Sequence, residues 1–373
     1  MELQVLNTAF VSIGVVDTFE TLIWNDQFCT AGDFEITAPP DDGLVTAIAG
    51  GQYLALADSE HIMVIDQLSI NTDVTNGNKV IVKGVSLEKV LDRRIVWNVT
   101  NLSGDFQTAV HQLLNENAIS PTDTARTIPN LLISVSTDPA ITALAINKQI
   151  NGAPTLYDTI VDLCAAFKIG FKLVLDADKN MVFSLYAGTD RSYAQETNPY
   201  IVFSPANDNL QDSKYTSNVS GLKTVALVHA KGDGSESIDT TVAAPGGAGT
   251  GLARREMYID ATSITQATPE GVLNTTEYLA DVAARGAAYV AQILQKGQEE
   301  LATNKVVETF EGTVDPVRAR ALYLYGRDYF MGDIVEVENE YGQNGRSQMT
   351  GWVNSEDNTG AKNYPTFKIV ANN

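Results

Sequence analysis

Residues 19–37 read FETLIWNDQFCTAGDFEIT, and this stretch sets the fold class. Leu22, Ile23 and Trp24 form an apolar run that Asn25 and Asp26 interrupt. Phe28 resumes it and Ala31-Gly32-Asp33 turns. Phe34 and Ile36 then stand two apart, on one face of a following strand. Two short strands joined by a Gly turn predict a β-hairpin. Trp24 ends its first arm, and Gly32-Asp33-Phe34-Glu35 opens the second.

The surrounding segment, residues 1–97, continues in the same style. Apolar runs at 3–6, 11–16, 52–56, 61–68 and 79–84 are separated by turn formers, among them Pro39-Pro40-Asp41-Asp42-Gly43 and Asn76-Gly77-Asn78. Many short strands at regular spacing predict a β-barrel or sandwich. Residues 86–94 read as a short helix with Ser86 as N-cap, because Leu87, Val90 and Leu91 share a face.

From 98 to 200 the pattern changes to an α+β insertion. Residues 106–114 are amphipathic through Phe106, Ala109, Val110, Leu113 and Leu114, and 131–135 is a strand. A second helix starts at Pro154, runs through Ile160, Cys164 and Phe167, and is expected to stop at Gly170 as its C′ residue. Strands 171–175 and 181–186 flank a turn at 176–180. Residues 201–373 return to strands, at 201–204, 224–230, 256–260, 306–312, 333–337, 347–354 and 364–370. A polar Gly-rich stretch, 233–251, reads as an exposed loop. A long helix over about 275–302 carries an apolar stripe of Leu279, Val282, Ala283, Val290, Ile293, Leu294 and Leu301. The expectation is mainly β: a first β-barrel (1–97), an α+β insertion (98–200), and a second β-barrel (201–373) that includes the loop and the long helix.

Composition narrows the function. With 25 basic against 46 acidic residues the chain carries −21. Nucleic-acid binding needs clustered Lys and Arg, so sequence-specific DNA reading is not expected, although DNA can slide past such a surface. The chain is 44% hydrophobic, enough to build cores. Two cysteines, Cys29 and Cys164, lie in apolar patterns and read as buried thiols rather than a disulfide. No leader pattern and no membrane-length apolar segment occurs, which places folding in a cytoplasm and makes the sequons at Asn98, Asn101, Asn218 and Asn274 incidental.

Motifs that invite chemistry fail on context. Gly246-Gly247-Ala248-Gly249-Thr250-Gly251 lacks the following helix that a dinucleotide fingerprint requires. Asp176, Asp178 and Asn180 open like a calcium loop, but Met181 and Ala187 occupy the Gly and Glu positions. His61, His111 and His229 are scattered, with no paired ligand set. Cys164 falls on the apolar face of its helix, as an inert core thiol does. No pair among the 46 carboxylates is singled out as a glycosidase couple. Metal, cofactor and catalytic residues are therefore expected to be none. Arg93-Arg94 and Arg254-Arg255 read either as solvated ends of elements or as intersubunit ion-pair donors.

Four segments carry a family resemblance: the hairpin with Trp24, Gly32 and Phe34; GVSLEKVLDRR, containing Gly84, Arg93 and Arg94; LYAGTDRS, containing Gly188 and Arg191; and YGRDYFMGDIVEV, with Tyr325, Gly326, Asp328, Gly332 and Asp333. In this order, across nearly the whole chain, they resemble the tail-hub (baseplate hub or tail-tip) proteins of long-tailed siphophages, including the Gp37-like tail proteins, and the myophage baseplate hub. The resemblance implies two tail-tube-like β-barrels per chain and a homotrimer. Its six barrels would match a sixfold tail tube or distal tail ring above and a threefold tip or fibre below. The partners implied are a distal tail protein or tube ring, a tail fibre or tip protein and the tape measure protein, in a virion tail tip assembled in the host cytoplasm. In that reading Trp24, Phe34, Tyr325, Tyr329 and Phe330 are core or interface aromatics, and the glycines, including Gly32, Gly84, Gly188, Gly326 and Gly332, permit turns. The alternatives are a tail-tip cell-wall hydrolase, for which no added domain is expected after the last strands, and a receptor-binding module.

Overall fold

A computed structural model describes residues 1–40, 45–46, 48, 52–72, 77–232, 237–266, 276–314 and 322–370. Part of the expected 39–43 stop, and Asn76 of the 76–78 turn, lie outside them. The first segment holds β1 (Leu3–Leu6), β2 (Ser12–Val16), β3 (Thr21–Gln27), β4 (Asp33–Ala38), β5 (Tyr53–Leu56), β6 (Ile62–Asn71) and β7 (Lys79–Ser86). The insertion adds β8 (Thr100–Asp105), α1 (Phe106–Leu114), β9 (Leu131–Ile133), α2 (Pro139–Thr142), β10 (Ala145–Ile150), α3 (Leu156–Phe167), β11 (Gly170–Leu175) and β12 (Met181–Tyr186). The remainder holds β13 (Val202–Phe203), β14 (Leu210–Asn218), β15 (Val225–Lys231), β16 (Ser237–Ala243), β17 (Glu256–Asp260), α4 (Thr276–Thr303), β18 (Val307–Val314), β19 (Ile334–Glu338), β20 (Asn344–Asp357) and β21 (Gly360–Ile369).

The chain is mainly β, and the hairpin at 19–37 forms, with Trp24 opposite Phe34 and Leu22 opposite Ile36. Leu22, Trp24, Phe34, Ile36, Val80 and Val82 all turn inward to one core. Each such side chain contributes roughly 1.5–3 kcal/mol on burial. Two closed barrels were expected, and among the described residues no sheet closes on itself. Eleven strands run in one open order, β13-β19-β20-β3-β4-β7-β6-β5-β1-β2 with β21 on β20, and the others form the smaller sheets β10-β8, β11-β12-β9, β14-β18 and β16-β15-β17. The decisive pair is β3 with β20, which sets Asn354 opposite Trp24. Strands at the two ends of the chain thus share a sheet. Alternation in a sequence identifies a strand's buried face, whereas its partner is a non-local choice.

Several local expectations changed in type or in detail. Residues 87–93 form a 3₁₀ rather than an α-helix, and Ser86 makes no side-chain cap bond there; its hydroxyl accepts the Gly32 N–H instead. Helix α3 ends on Lys168 in the left-handed region (φ 57), so Gly170 is not the C′ residue and opens β11. The supposed loop 233–251 contains β16, which pairs along all of β15. Its polarity is that of a strand with much of its length in solvent. In β19 Val335, Glu336 and Val337 are all buried, rather than alternating. Helix α4 lies on β15 and β16 through Tyr289, Ile293 and Leu301, while Leu279, Val290 and Leu294 of the expected stripe stay exposed.

Candidate functional site

The first segment, the insertion and the last segment meet at Phe28. Phe28 directly follows β3, and its N–H donates to Thr350 O. Its carbonyl accepts from the Phe171 N–H and the Tyr186 hydroxyl. The ring is buried, edge-on to Tyr186 with centroids 5.3 Å apart. Two glycines admit it. A Cβ on Gly170 would sit 2.5 Å from the ring, and one on Gly332 would overlap it. Gly332 also has φ +90, a conformation that L side chains rarely adopt.

Beside this ring the insertion is stitched to the last segment. The Asp333 carboxylate accepts from Thr189 N (2.7 Å), Arg191 Nε (2.7 Å) and Phe330 N (3.0 Å). Backbone bonds run on, from Ile334 N to Thr189 O and from Arg191 N to Ile334 O. Gly188 allows the approach, because a Cβ there would overlap the Gly332 carbonyl. Asp190 and Arg346 pair alongside at 2.5 Å. Asp333 is buried and Arg191 nearly so, and charge-assisted bonds in such surroundings are strong.

A third fastening joins the insertion to the first segment. His61 Nδ1 lies 3.0 Å from Glu88 Oε1, with both residues buried, and Leu173 N–H donates to the same oxygen at 2.9 Å. Burial disfavours the charged ring, but the Glu88 carboxylate outweighs it, with Asp26 and Glu60 adding to the pull, and His61 is raised to about 9. Burial likewise opposes the Glu88 carboxylate, yet His61 and the hydrogen bonds hold it below its ordinary value. Ala31 N–H donates to the Tyr157 hydroxyl at 2.7 Å.

The structure brings together Gly188, Arg191, Gly332 and Asp333 of the residues singled out in the sequence. Trp24 and Phe34 lie in the neighbouring core, ring centroids 5.9 Å apart, and the Trp24 indole N–H donates to Asp26. Gly84 lies inside β7 beneath Phe34, rather than in a turn. Tyr325 stacks on Trp352 at 4.2 Å, Gly326 N–H donates to Tyr329 O, and Asp328 accepts from Leu324 N–H. Phe330 is half exposed. Arg93 is exposed, and Arg94 donates to the carbonyls of Arg126 and Arg93. Arg254 pairs with Glu256. Sequence reasoning missed Phe28 as the meeting point and the His61–Glu88 pair. The one available signal for the pair was a Glu set between Leu87 and Val90 on an apolar face. Cys29 and Cys164 are free; Cys164 is buried and burial pushes its thiol well up, whereas Cys29, expected to be buried, is partly exposed. Among the described residues no group of His, Cys, Asp and Glu is placed to hold a metal, and no helix is long and apolar enough to cross a membrane. The charged groups of the junction face one another, an arrangement that fixes three parts of the chain.

A family model described as Siphovirus ReqiPepy6 Gp37-like protein matches residues 2–362. The chain belongs to this phage tail protein family. The Gp37-like chain shares its fold with solved tail proteins at low identity. For the tail protein from Neisseria meningitidis MC58 the identity is 13%, covering 98% of this chain and 95% of that one, with a TM-score of 0.55. The 43 kDa tail protein of prophage MuSo2 from Shewanella oneidensis gives 12%, 98% of each chain and 0.54. Prophage tail protein gp18 from Listeria monocytogenes EGD-e gives 12%, 95%, 90% and 0.51. No curated protein matches the chain. The four segments that carry the resemblance in this Gp37-like protein contribute the β3–β4 hairpin, the 3₁₀ turn after β7, the Asp333-bound segment after β12 and the turn before β19.

Proposed function

We propose that this Gp37-like protein is a tail hub, a homotrimeric ring at the distal end of the tail that adapts a sixfold tube or distal tail ring to a threefold tip and lets DNA pass. The observation that carries the reading is an apolar seam along α4. Leu279, Ala283, Ala287, Val290 and Leu294 follow one another at steps of four or three residues, and all are exposed. The opposite side of α4 is occupied by β15 and β16. Residues three and four apart share a helix face, and an unpartnered apolar helix face of this length fits a second copy of the chain. Burying its Leu and Val side chains stabilises an assembly by roughly 1.5–3 kcal/mol each. The open sheet supports the same reading, since β2 is an end strand bearing exposed Ile13 and Val15, and such edges call for cover.

In this reading residues 1–97, 98–200 and 201–373 are the working units, and the clamp of Gly188, Arg191, Gly332 and Asp333 holds the insertion rigidly against the ring. The ring stands between a distal tail protein or tube ring and a tail fibre or tip protein, has the tape measure protein as a further partner, and assembles in the host cytoplasm. The −21 charge keeps DNA from adhering. No catalysis is assigned. Light scattering across micromolar concentrations tests the assembly. A mass near three times 40.2 kDa supports the ring, and the pair Val290→Asp, Leu294→Asp returns it to a folded monomer. A wild-type monomer at every concentration removes self-assembly.

A further inference from the structure

We propose that the cleft beside Trp97 in the insertion is a binding site for a neutral pyranose of a glycan. The cleft, about 380 Å³, is lined by Asn98, Asn101, Gln112, Glu116, Ser120 and Thr122 among others. Amides, hydroxyls and one carboxylate offer the mixture of donors and acceptors that sugar hydroxyls need. No Lys, Arg or His is among the lining residues, and the chain is strongly acidic. Phosphate-bearing and carboxylate-bearing ligands are therefore disfavoured, and an uncharged polyol is the class that fits.

Two further observations point to the same place. Trp97, immediately before Asn98, is 63% exposed, with Val99 also exposed beyond it. Its ring is held by the Arg126 guanidinium, 4.7 Å from the centroid, and its backbone N–H donates to Asn117 Oδ1 at 3.0 Å, which fixes the chain that carries the ring. Arg126 in turn donates to Ile95 O and Asn117 Oδ1, and its own carbonyl accepts from Arg94. An exposed indole held in this way is a preset flat apolar surface of the kind on which the C–H face of a pyranose stacks. The second observation is that the cleft, whose rim Trp97 borders without lining it, has as one wall a π-helical turn, Asn115–Ile119, closed by Ser120 N–H donating to Asn115 O. Such turns are rare and concentrate at functional sites. This one places Glu116 toward Gln112 and Thr100, which donate to its two oxygens, and buries Asn117, whose amide bonds back to Leu113 O. The site is built, and it stands independently of the hub reading.

Tryptophan fluorescence of the full chain reads it directly. Trp24 is buried and Trp352 is stacked on Tyr325, so Trp97 is the indole most open to a quencher. Titration with the tetramers of N-acetylglucosamine, of β-1,4-glucose and of α-1,4-glucose is expected to shield it saturably from acrylamide in at least one case. Calorimetry with that sugar should show Trp97→Ala weakening binding about tenfold or more, as loss of a stacking platform does. Trp97→Phe should retain most of the affinity, and Glu116→Gln should weaken binding several-fold. Failure of all three sugars to shield Trp97 overturns the proposal. So does tighter shielding by a glycerol-phosphate polymer, or a Trp97→Ala protein that keeps full sugar affinity. A Trp97→Ala protein that loses sugar binding only together with its native mass makes the surface a contact between copies, and that also overturns it.

Discussion

Phe28 shows how much one side chain can organise when its neighbours are glycine. Its ring fills the space where a Cβ of Gly332 would stand, and Gly332 adopts a positive φ besides. Gly332→Ala is therefore expected to lower stability by about 3 kcal/mol or more, through clash and backbone strain together, seen as a lower urea midpoint with an unchanged slope. Phe28→Leu, which leaves a gap at the ring edge, should cost about 1–3 kcal/mol. The His61–Glu88 pair gives the protein a pH signature. The folded-state value of His61, about 9, lies above its ordinary 6.5, so its stabilisation is complete below about 6.5 and disappears as pH rises through about 9. Glu88 is held below its ordinary 4.5, so its share is present above that value and is lost on acidification. Stability should thus fall from pH 6.5 to 9.5 in the wild type, and His61→Gln should flatten that slope in urea titrations at each pH.

At the scale of elements, the clamp between the irregular segment after β12 and the turn before β19 depends on a single acceptor. Asp333 takes three donors from Thr189, Arg191 and Phe330. Asp333→Ala leaves two backbone N–H groups and a nearly buried guanidinium without their partner, and is expected to cost about 3–5 kcal/mol. Asp333→Asn keeps an acceptor and should cost distinctly less. Hydrogen exchange gives the local reading: the amides of Thr189 and Ile334 should lose protection in Asp333→Ala before those of β3 and β4 do. Most elements were legible from sequence, because their signals are local. The alternation at 19–37 produced β3 and β4, and the stripe at 106–114 produced α1. Two were not. Strand β16 was hidden because much of its length is in solvent, so it carries little hydrophobic alternation. The 3₁₀ turn at Leu87–Arg93 has the same apolar spacing as a short α-helix.

For the whole molecule, the pairing of β3 with β20 makes the first segment dependent on the last. A fragment of residues 1–200 keeps the hairpin but leaves the β20 side of β3 bare and removes Gly332, Thr350 and Met349 from around Phe28. It is expected to lack a cooperative thermal transition by circular dichroism and to associate through its open edge. A fragment that melts sharply as a monomer would mean that the first segment folds without its C-terminal partner strands.

Strand-rich ends, a middle of mixed helices and strands, a strongly acidic composition and a long helix were readable from the chain alone, since period, charge and turn chemistry act over a few residues. The sequence also marked Gly188, Arg191, Gly332 and Asp333, whose residue types suit close approach and charge-assisted bonding. Only the tertiary structure decided that the end strands form one open sheet, that Phe28 is the meeting point of three segments, and that His61 faces Glu88. It also decided that half of the α4 stripe stays in solvent. Those outcomes depend on which distant segments come together. Side-chain periodicity, which reports only that a face is apolar, does not encode what will cover it.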